Sequence, residues 1–307
     1  MRYVRYAAPP RSRSYAQWGN WAAPALRRAL RSAGTFDLVH AHNAVPAGDA
    51  ALRAGAGVPL VTSVHGGDVL WTSDRVPGGR AAVARVLSAS ALVLANSAGI
   101  EALATEHGAR STRVVHLGAD LPTAPTSASA EPSIATVGHL VARKRHADVL
   151  HALAELPGVH YLVIGDGPER AGLERLARQL GVAQRVEFAG QLPPGPAIER
   201  ARGAWCFVMP STEEAFGVAY VEAMAAGVPA IGCEGEPGPE EIAQSGGGIL
   251  LVPPRAPHEL AQCLNGLLSD GDRRRALGAT ARSTVEREFT WQRCGAQTLA
   301  AYQQALR

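Results

Sequence analysis

Short apolar runs alternate along the whole chain with longer stretches in which apolar residues recur every three or four positions. That pattern is the signature of strands alternating with amphipathic helices. In the first half, residues 2–6, 37–42, 59–65, 91–97 and 113–118 read as strands, and 15–32, 46–54, 79–88 and 98–107 as helices. In the second half, strands are predicted at 133–138, 160–165, 186–189, 204–209, 229–233 and 248–252, again with helices between them. Connections of this length suit parallel crossovers, so each half is expected to form an α/β parallel sheet. Residues 121–132 interrupt the pattern: Pro and Ser dominate and no periodicity survives, which marks a linker between a domain at 1–120 and one at 133–290. From His258 onward Leu260, Leu264, Leu267 and Leu268 fall at helical spacing, and 291–307 is predicted as a last helix.

Composition narrows the class. A chain of 307 residues is long enough for two cores, and 47% hydrophobic against 19% charged residues is an ordinary globular balance. No apolar run approaches the roughly 18 residues of a membrane-spanning helix, and the opening residues lack the apolar segment of a signal peptide. Cys206, Cys233, Cys263 and Cys294 are scattered without a C-x-x-C pair. Neither a zinc site nor a disulfide framework is expected, and a reducing cytoplasmic setting follows. Residues 1–120 carry 13 Arg against 7 acids, whereas the remainder has 17 basic against 20 acidic residues. That asymmetry suits an anionic acceptor or peripheral contact with a membrane surface, at the inner face of the plasma membrane, or simply a solvated face. It is too modest to point to nucleic acid. Of the 30 basic residues 29 are Arg, and Lys144 is the single lysine. A lone compact ammonium among guanidinium groups suits a phosphate, with chance survival the competing account.

One stretch concentrates the chemistry. The apolar run 204–209 ends at Pro210, and a helix is expected to start near Gly217 and stop at Gly227-Val228-Pro229. Ligands of open α/β sheets bind beyond the carboxyl ends of strands, and a helix N-terminus offers unpaired N–H groups to an anion. The backbone of Phe216, Gly217 and Val218 is therefore a candidate phosphate cradle. Glu214 and Glu222 stand eight residues apart, at most about 12 Å along a helix, a spacing that suits two acceptors gripping hydroxyls at opposite ends of an extended ligand. Taken singly, each acid would more often be a solvated face.

Together these residues resemble the Glu-x7-Glu segment of retaining glycosyltransferases of the GT4 family (glycosyl transferases group 1), which have the two-domain GT-B fold. The resemblance implies two Rossmann-like doubly wound domains facing a cleft, with Glu214 touching the donor sugar and Glu222 the nucleotide ribose. Further segments resemble the family in order. Val137-Gly138-His139-Leu140-Val141-Ala142-Arg143-Lys144 is similar to the family's Val-Gly-Arg…Lys-Gly run, which neutralises the donor phosphates; His139 stands where Arg is commonest, Arg145 where Gly is usual, and Arg143 is a possible compensator. Gly165-Asp166-Gly167-Pro168 resembles the loop lining the nucleotide pocket, and Arg170 breaks the G-x-G-x-x-G that a nicotinamide fingerprint needs. Gln191-Leu192 corresponds to the base-contacting edge, and Gly235-Glu236-Pro237-Gly238-Pro239-Glu240-Glu241 to a loop that closes over the donor, or marks a plain turn. In the first half, Val64-His65-Gly66-Gly67-Asp68 is similar to the segment whose His faces the donor sugar; without the resemblance, His65 would more often be a packed side chain. Asn96-Ser97 resembles the family pattern more weakly.

The function implied is transfer of a hexosyl group from a nucleoside diphosphate sugar to an acceptor hydroxyl on a glycan, a lipid-linked sugar or a small molecule. Glu214, His65 and Lys144 are the catalytic candidates. Gly138, His139, Arg143, Gly165, Gly167, Leu192, Phe216, Gly217, Val218 and Glu222 are the donor-binding ones, and no metal or other cofactor is expected. The resemblance also implies a last helix that crosses back to the first domain and a Gly-containing turn near the N-terminus. That turn is missing, so the first domain is expected to be incomplete. A non-catalytic nucleotide-sugar-binding remnant, and a GT-B-like epimerase or phosphorylase, are the alternative readings.

Overall fold

The computed structural model describes residues 3–10, 14–123 and 129–307. It divides into two compact units, residues 1–116 with 294–307, and residues 117–293. Of the linker stretch, residues 124–128 lie outside the described residues, as does Arg2 of the first predicted strand.

The first unit holds a four-stranded parallel sheet of β1 (Val39–His42), β2 (Leu60–Val64), β3 (Leu92–Ala95) and β4 (Thr112–Val114), ordered as in the chain. Helices Trp18–Arg31, Asp49–Ala54, Gly79–Ala89 and Ala98–Glu106 connect or flank these strands. All five residues of β2 are buried, as parallel strands covered on both faces require. The strand expected at 2–6 is a correction: Tyr3 to Tyr6 form no strand, and Tyr3 is 83% exposed. Tyr6 meets the Trp18 ring edge-on, but the run pairs with no strand among the described residues and so lacks the ladder that makes one. Helix Trp291–Ala305 belongs largely to this unit, where Ala301, Tyr302 and Ala305 pack with Val61, Leu92, Leu94 and Val115.

The second unit holds six parallel strands: β5 (Ser133–Val137), β6 (His160–Ile164), β7 (Val186–Gly190), β8 (Cys206–Val208), β9 (Ala230–Cys233) and β10 (Ile249–Val252), in the order β10-β9-β8-β5-β6-β7. Winding proceeds outward from β5 through β6 to β7 on one side and from β8 through β9 to β10 on the other. The direction reverses between β5 and β8, the kind of switch point beyond whose strand ends open α/β sheets bind their ligands. A core of Ile134, Leu150, Leu153, Tyr161, Val208, Leu260 and Leu264 packs on one face, and Phe207, Phe216, Tyr220, Met224, Val285 and Phe289 pack on the other.

Candidate active site

Two loops meet at the reversal. The first leaves β5 through Gly138, whose N–H donates to Ile164 O at 2.9 Å. Beside it Gly165 sits at φ 142°, and a Cβ there would collide with the Gly138 carbonyl, so the ends of β5 and β6 approach as only glycine allows. A single 3-10 turn, Ala142–Lys144, then carries the lysine back toward the sheet. The second loop leaves β8 through Met209, Pro210 and Ser211 and reaches Glu213 at φ 56°. Thr212 N–H donates to Arg143 O at 2.8 Å and so stitches the two loops together.

Lys144 and Glu214 face each other across this seam and form an ion pair, Nζ to Oε2. Ser211 Oγ donates to the same Oε2 at 2.8 Å, and Nζ lies 3.4 Å from Met209 Sδ. Both residues are buried, Lys144 at 9% and Glu214 at 7% exposure. Burial, the largest influence, lowers the Lys144 pKa; the Glu214 charge and hydrogen bond oppose it, and Arg143 adds to the lowering. Arg143 stays at the rim, its Nη1 3.9 Å from Glu214 Oε2 and its side chain 43% exposed.

The Glu214 loop is bolted from behind. Glu236 Oε2 accepts from Glu214 N–H at 2.8 Å, and Gly238 N–H donates to Glu214 O at 3.1 Å. Glu214 thus sits on an irregular loop, not on the helix, which corrects the helical measure of its distance to Glu222. The helix runs Val218–Met224, and Glu222 lies on it, half-buried, with its pKa raised by burial against the opposing charge of Arg202. Gly217 precedes it at φ 87°, where a Cβ would collide with the Tyr220 ring. Phe216 turns its ring into the core, 5.6 Å from Phe289, so only its backbone could serve a ligand.

Beside the seam a pocket of about 420 Å³ opens at the ends of β5, β6 and β7, lined by Gly138, His139, Gly165, Gln191, Leu192 and Ala197 among others. Gly167 packs against the Leu140 backbone and the His139 ring. Behind this loop His146 is buried, its Nδ1 3.3 Å from Tyr161 Oη, and desolvation pushes its pKa down to about 4.

The structure therefore gathers Lys144, Glu214 and Arg143 at the seam and Gly138, His139, Gly165 and Leu192 in the pocket. His65 belongs to the first unit, directly after β2, where it pairs with His42. Sequence reasoning assigned no individual role to Ser211, Glu236, His42 or the buried Asp68, which accepts from Ala44 N–H at 3.0 Å and Val45 N–H at 3.2 Å. Ser211 lies within the segment already singled out, and period-two spacing puts His42 on the same strand face as His40. Glu236 and Asp68 lie in segments already quoted, but nothing local pointed to the backbone partner of Glu236, 22 residues away.

Comparison with known proteins agrees in order along the chain. Residues 2–122 match the family described as Glycosyltransferase Family 4, and residues 121–284 match Glycosyl transferases group 1. The chain is 30% identical over 273 residues, 80% of its length and 70% of the relative's, to a GDP-mannose-dependent monoacylated alpha-(1-6)-phosphatidylinositol monomannoside mannosyltransferase of Corynebacterium glutamicum. It is 32% identical to the lipopolysaccharide core biosynthesis glycosyltransferase LpsE of Rhizobium meliloti, over 52% of this chain but only 46% of that one. Among solved structures, Anabaena Alr3699/HepE in complex with UDP and glucose superposes with a TM-score of 0.80 at 22% identity, covering 96% of this chain and 84% of that one. The two parallel-sheet units have the GT-B fold, and by these matches the chain belongs to the group 1, family 4 glycosyltransferases.

Proposed function

We propose that the protein is a retaining, metal-independent glycosyltransferase that moves a hexosyl group from a nucleoside diphosphate sugar to an acceptor hydroxyl on a glycan, a lipid-linked sugar or a small molecule. The observation that carries this reading is the buried Lys144–Glu214 pair at the winding reversal, next to a pocket of about 420 Å³. A diphosphate entering from the pocket beside the seam gives Lys144 a second anionic partner, and as the sugar–phosphate bond breaks the charge on the leaving group grows. An ammonium already desolvated there stabilises that growing charge more than it would in water. Glu214, sharing Lys144 with the diphosphate, is then available to accept from a sugar hydroxyl. Glu222 serves the ribose, and the pocket between Gly138 and Leu192 takes the nucleoside. His65 of the first unit is the remaining candidate for contact with the sugar.

The printed names of the relatives extend the reading. The Corynebacterium relative is named for GDP-mannose and the Anabaena structure holds UDP and glucose, so both donor classes belong in the test. Peripheral membrane contact is part of the proposal, supported by exposed Tyr3, Trp21 and Trp71 in the Arg-rich first unit. The four free cysteines support a cytoplasmic, reducing setting. Among the described residues no helix is long and apolar enough to cross a membrane.

The experiment is a thermal-shift screen with GDP-mannose, UDP-glucose and their nucleoside diphosphates, followed by transfer assays on mannosyl glycolipid, glycan and inositol phosphate acceptors. One donor class is expected to raise Tm by mass action and to yield a product with the donor's anomeric configuration. No stabilisation by any nucleotide sugar would overturn the reading, and an inverted anomer would overturn its retaining character.

A further inference from the structure

The carboxyl edge of the first sheet carries an arrangement that none of the site residues explains. Strand β1 ends in Val39-His40-Ala41-His42, and β2 leads into Ser63-Val64-His65. The parallel register sets His40 opposite Val61 and His42 opposite Ser63. Alternation along a strand then puts His40, His42, Ser63 and His65 on one face. Three imidazoles are the result, and each is held differently.

His40 is the deepest. Its Nδ1 lies 2.7 Å from Tyr302 Oη of the last helix and its Nε2 lies 2.7 Å from Ser63 Oγ, so both ring nitrogens are engaged. Its ring centroid lies 4.4 Å from that of His42. His42, the exposed last residue of β1, has its Nδ1 3.1 Å from His65 Nε2, and the two rings are within 9° of parallel. That distance and that near-parallelism fit a hydrogen bond lying in the plane of both rings. The strands on either side are fixed where they end. The chain turns at Asn43 (φ 77°) after His42 and at Gly66 (φ 95°) after His65, and Asp68 ties the two loops through Ala44 and Val45.

We propose that His42 is a positioning residue for His65: the Nδ1–Nε2 hydrogen bond fixes the His65 ring and leaves Nδ1 as its single free nitrogen, with the His40–Tyr302 pair forming the seat against which His42 rests. A hydrogen bond between two neutral imidazoles uses one proton, so while it persists His65 cannot exchange its proton freely between its two nitrogens. His65 Nδ1 then presents one fixed hydrogen-bonding character to a hydroxyl-rich ligand. Protonating both rings would set two cations against each other, so the pair resists taking up a second proton. The other titratable groups around it are His40 and Tyr302 behind the pair and Asp68 in the loop beyond. Burial first, and His42 second, already hold the His65 pKa below the ordinary imidazole value.

The functional half of this inference rests on the proposed transfer reaction; the structural half does not. The test is long-range 1H–15N NMR on the full chain with labelled histidine, comparing the parent with His42→Ala and His42→Asn. An Asn amide reaches the place of the Nδ1 atom, so His42→Asn is expected to retain the bond. In the parent and in His42→Asn, the two His65 nitrogens should keep well-separated shifts, as one tautomer requires. In His42→Ala they should move toward averaging, and the His65 titration midpoint should rise. In parallel, His42→Ala should lower kcat of transfer tenfold or more, with nucleoside diphosphate affinity unchanged and with substantial rescue by His42→Asn. An averaged His65 in the parent, or an unchanged one in His42→Ala, would overturn the inference whatever the activity. A fixed tautomer with no transfer by the parent protein would overturn the proposed reaction instead, and normal transfer by His42→Ala would remove the functional half.

Discussion

The two sheets both end their strands in polar loops, yet they assemble those ends in different ways. In the second unit the winding reverses between β5 and β8. The loops that meet there place one lysine and one glutamate in contact at 9% and 7% exposure. In the first unit the described strands follow chain order with no reversal, and neighbouring strands deliver imidazoles side by side, held by hydrogen bonds to Tyr302, to Ser63 and between His42 and His65. The contrast shows what topology contributes. A switch point opens room for a charged ligand and concentrates full charges around it, whereas a sheet wound one way brings successive strand ends close enough to hold one another. The ionic edge is suited to a diphosphate, and the imidazole edge to hydroxyl groups.

The largest expected effect is on the ionic edge. Glu214→Ala should reduce transfer by about a thousandfold, in the range for a lost polar group that acts in the transition state. It should also cost about 3–5 kcal/mol of stability, because Lys144 is left buried and uncompensated. Assays with the donor and urea denaturation check the two parts, and a variant of parental activity and stability would break the contrast. Next comes the first unit. Asp68→Ala leaves the Ala44 and Val45 N–H groups buried without their acceptor, and should cost about 2–6 kcal/mol at roughly 1–3 per group; a change below about 0.5 kcal/mol in urea would mean the loops hold without it.

A pH series sharpens the comparison further. His146 is buried and neutral, with its pKa lowered from 6.5 to about 4. Between those values the unfolded chain binds more protons than the native one, so this contribution is present above pH 6.5 and is lost as pH falls toward 4. Going from pH 7 to 5 should cost the parent about 2 kcal/mol more than it costs His146→Asn, read from urea midpoints at the two values; equal losses would mean that His146 does not titrate differently on folding. The smallest effect belongs to Arg143, whose 3.9 Å approach to Glu214 is solvent-screened. Arg143→Ala should change stability by less than about 1 kcal/mol, and a larger loss would show that the pair depends on its rim.

Much of this was legible in the chain. The strands of the second unit were readable as short, largely apolar runs between helices, most cleanly in the buried inner strands β8 and β9 and less so at the edge strand β7, which carries an exposed Glu187. The Pro210–Pro229 segment likewise exposed Glu214 and Glu222. Three things were hidden. Residues 3–6 are as apolar as a strand, but burial, which decides, is not local. Glu236 acts on the backbone of a loop 22 residues away, a contact that exists only once β8 and β9 are adjacent. His42 and His65 are 23 positions apart, and their pairing follows from the β1–β2 register, not from either motif alone.

The most direct measurement is a calorimetric titration of GDP and UDP into the parent protein and into Lys144→Gln. If the seam between β5 and β8 grips the diphosphate, the parent should bind one of the two, and Lys144→Gln should bind it about 10–100-fold more weakly, equivalent to about 1.4–2.8 kcal/mol. Equal affinity in both proteins would contradict the account at its centre.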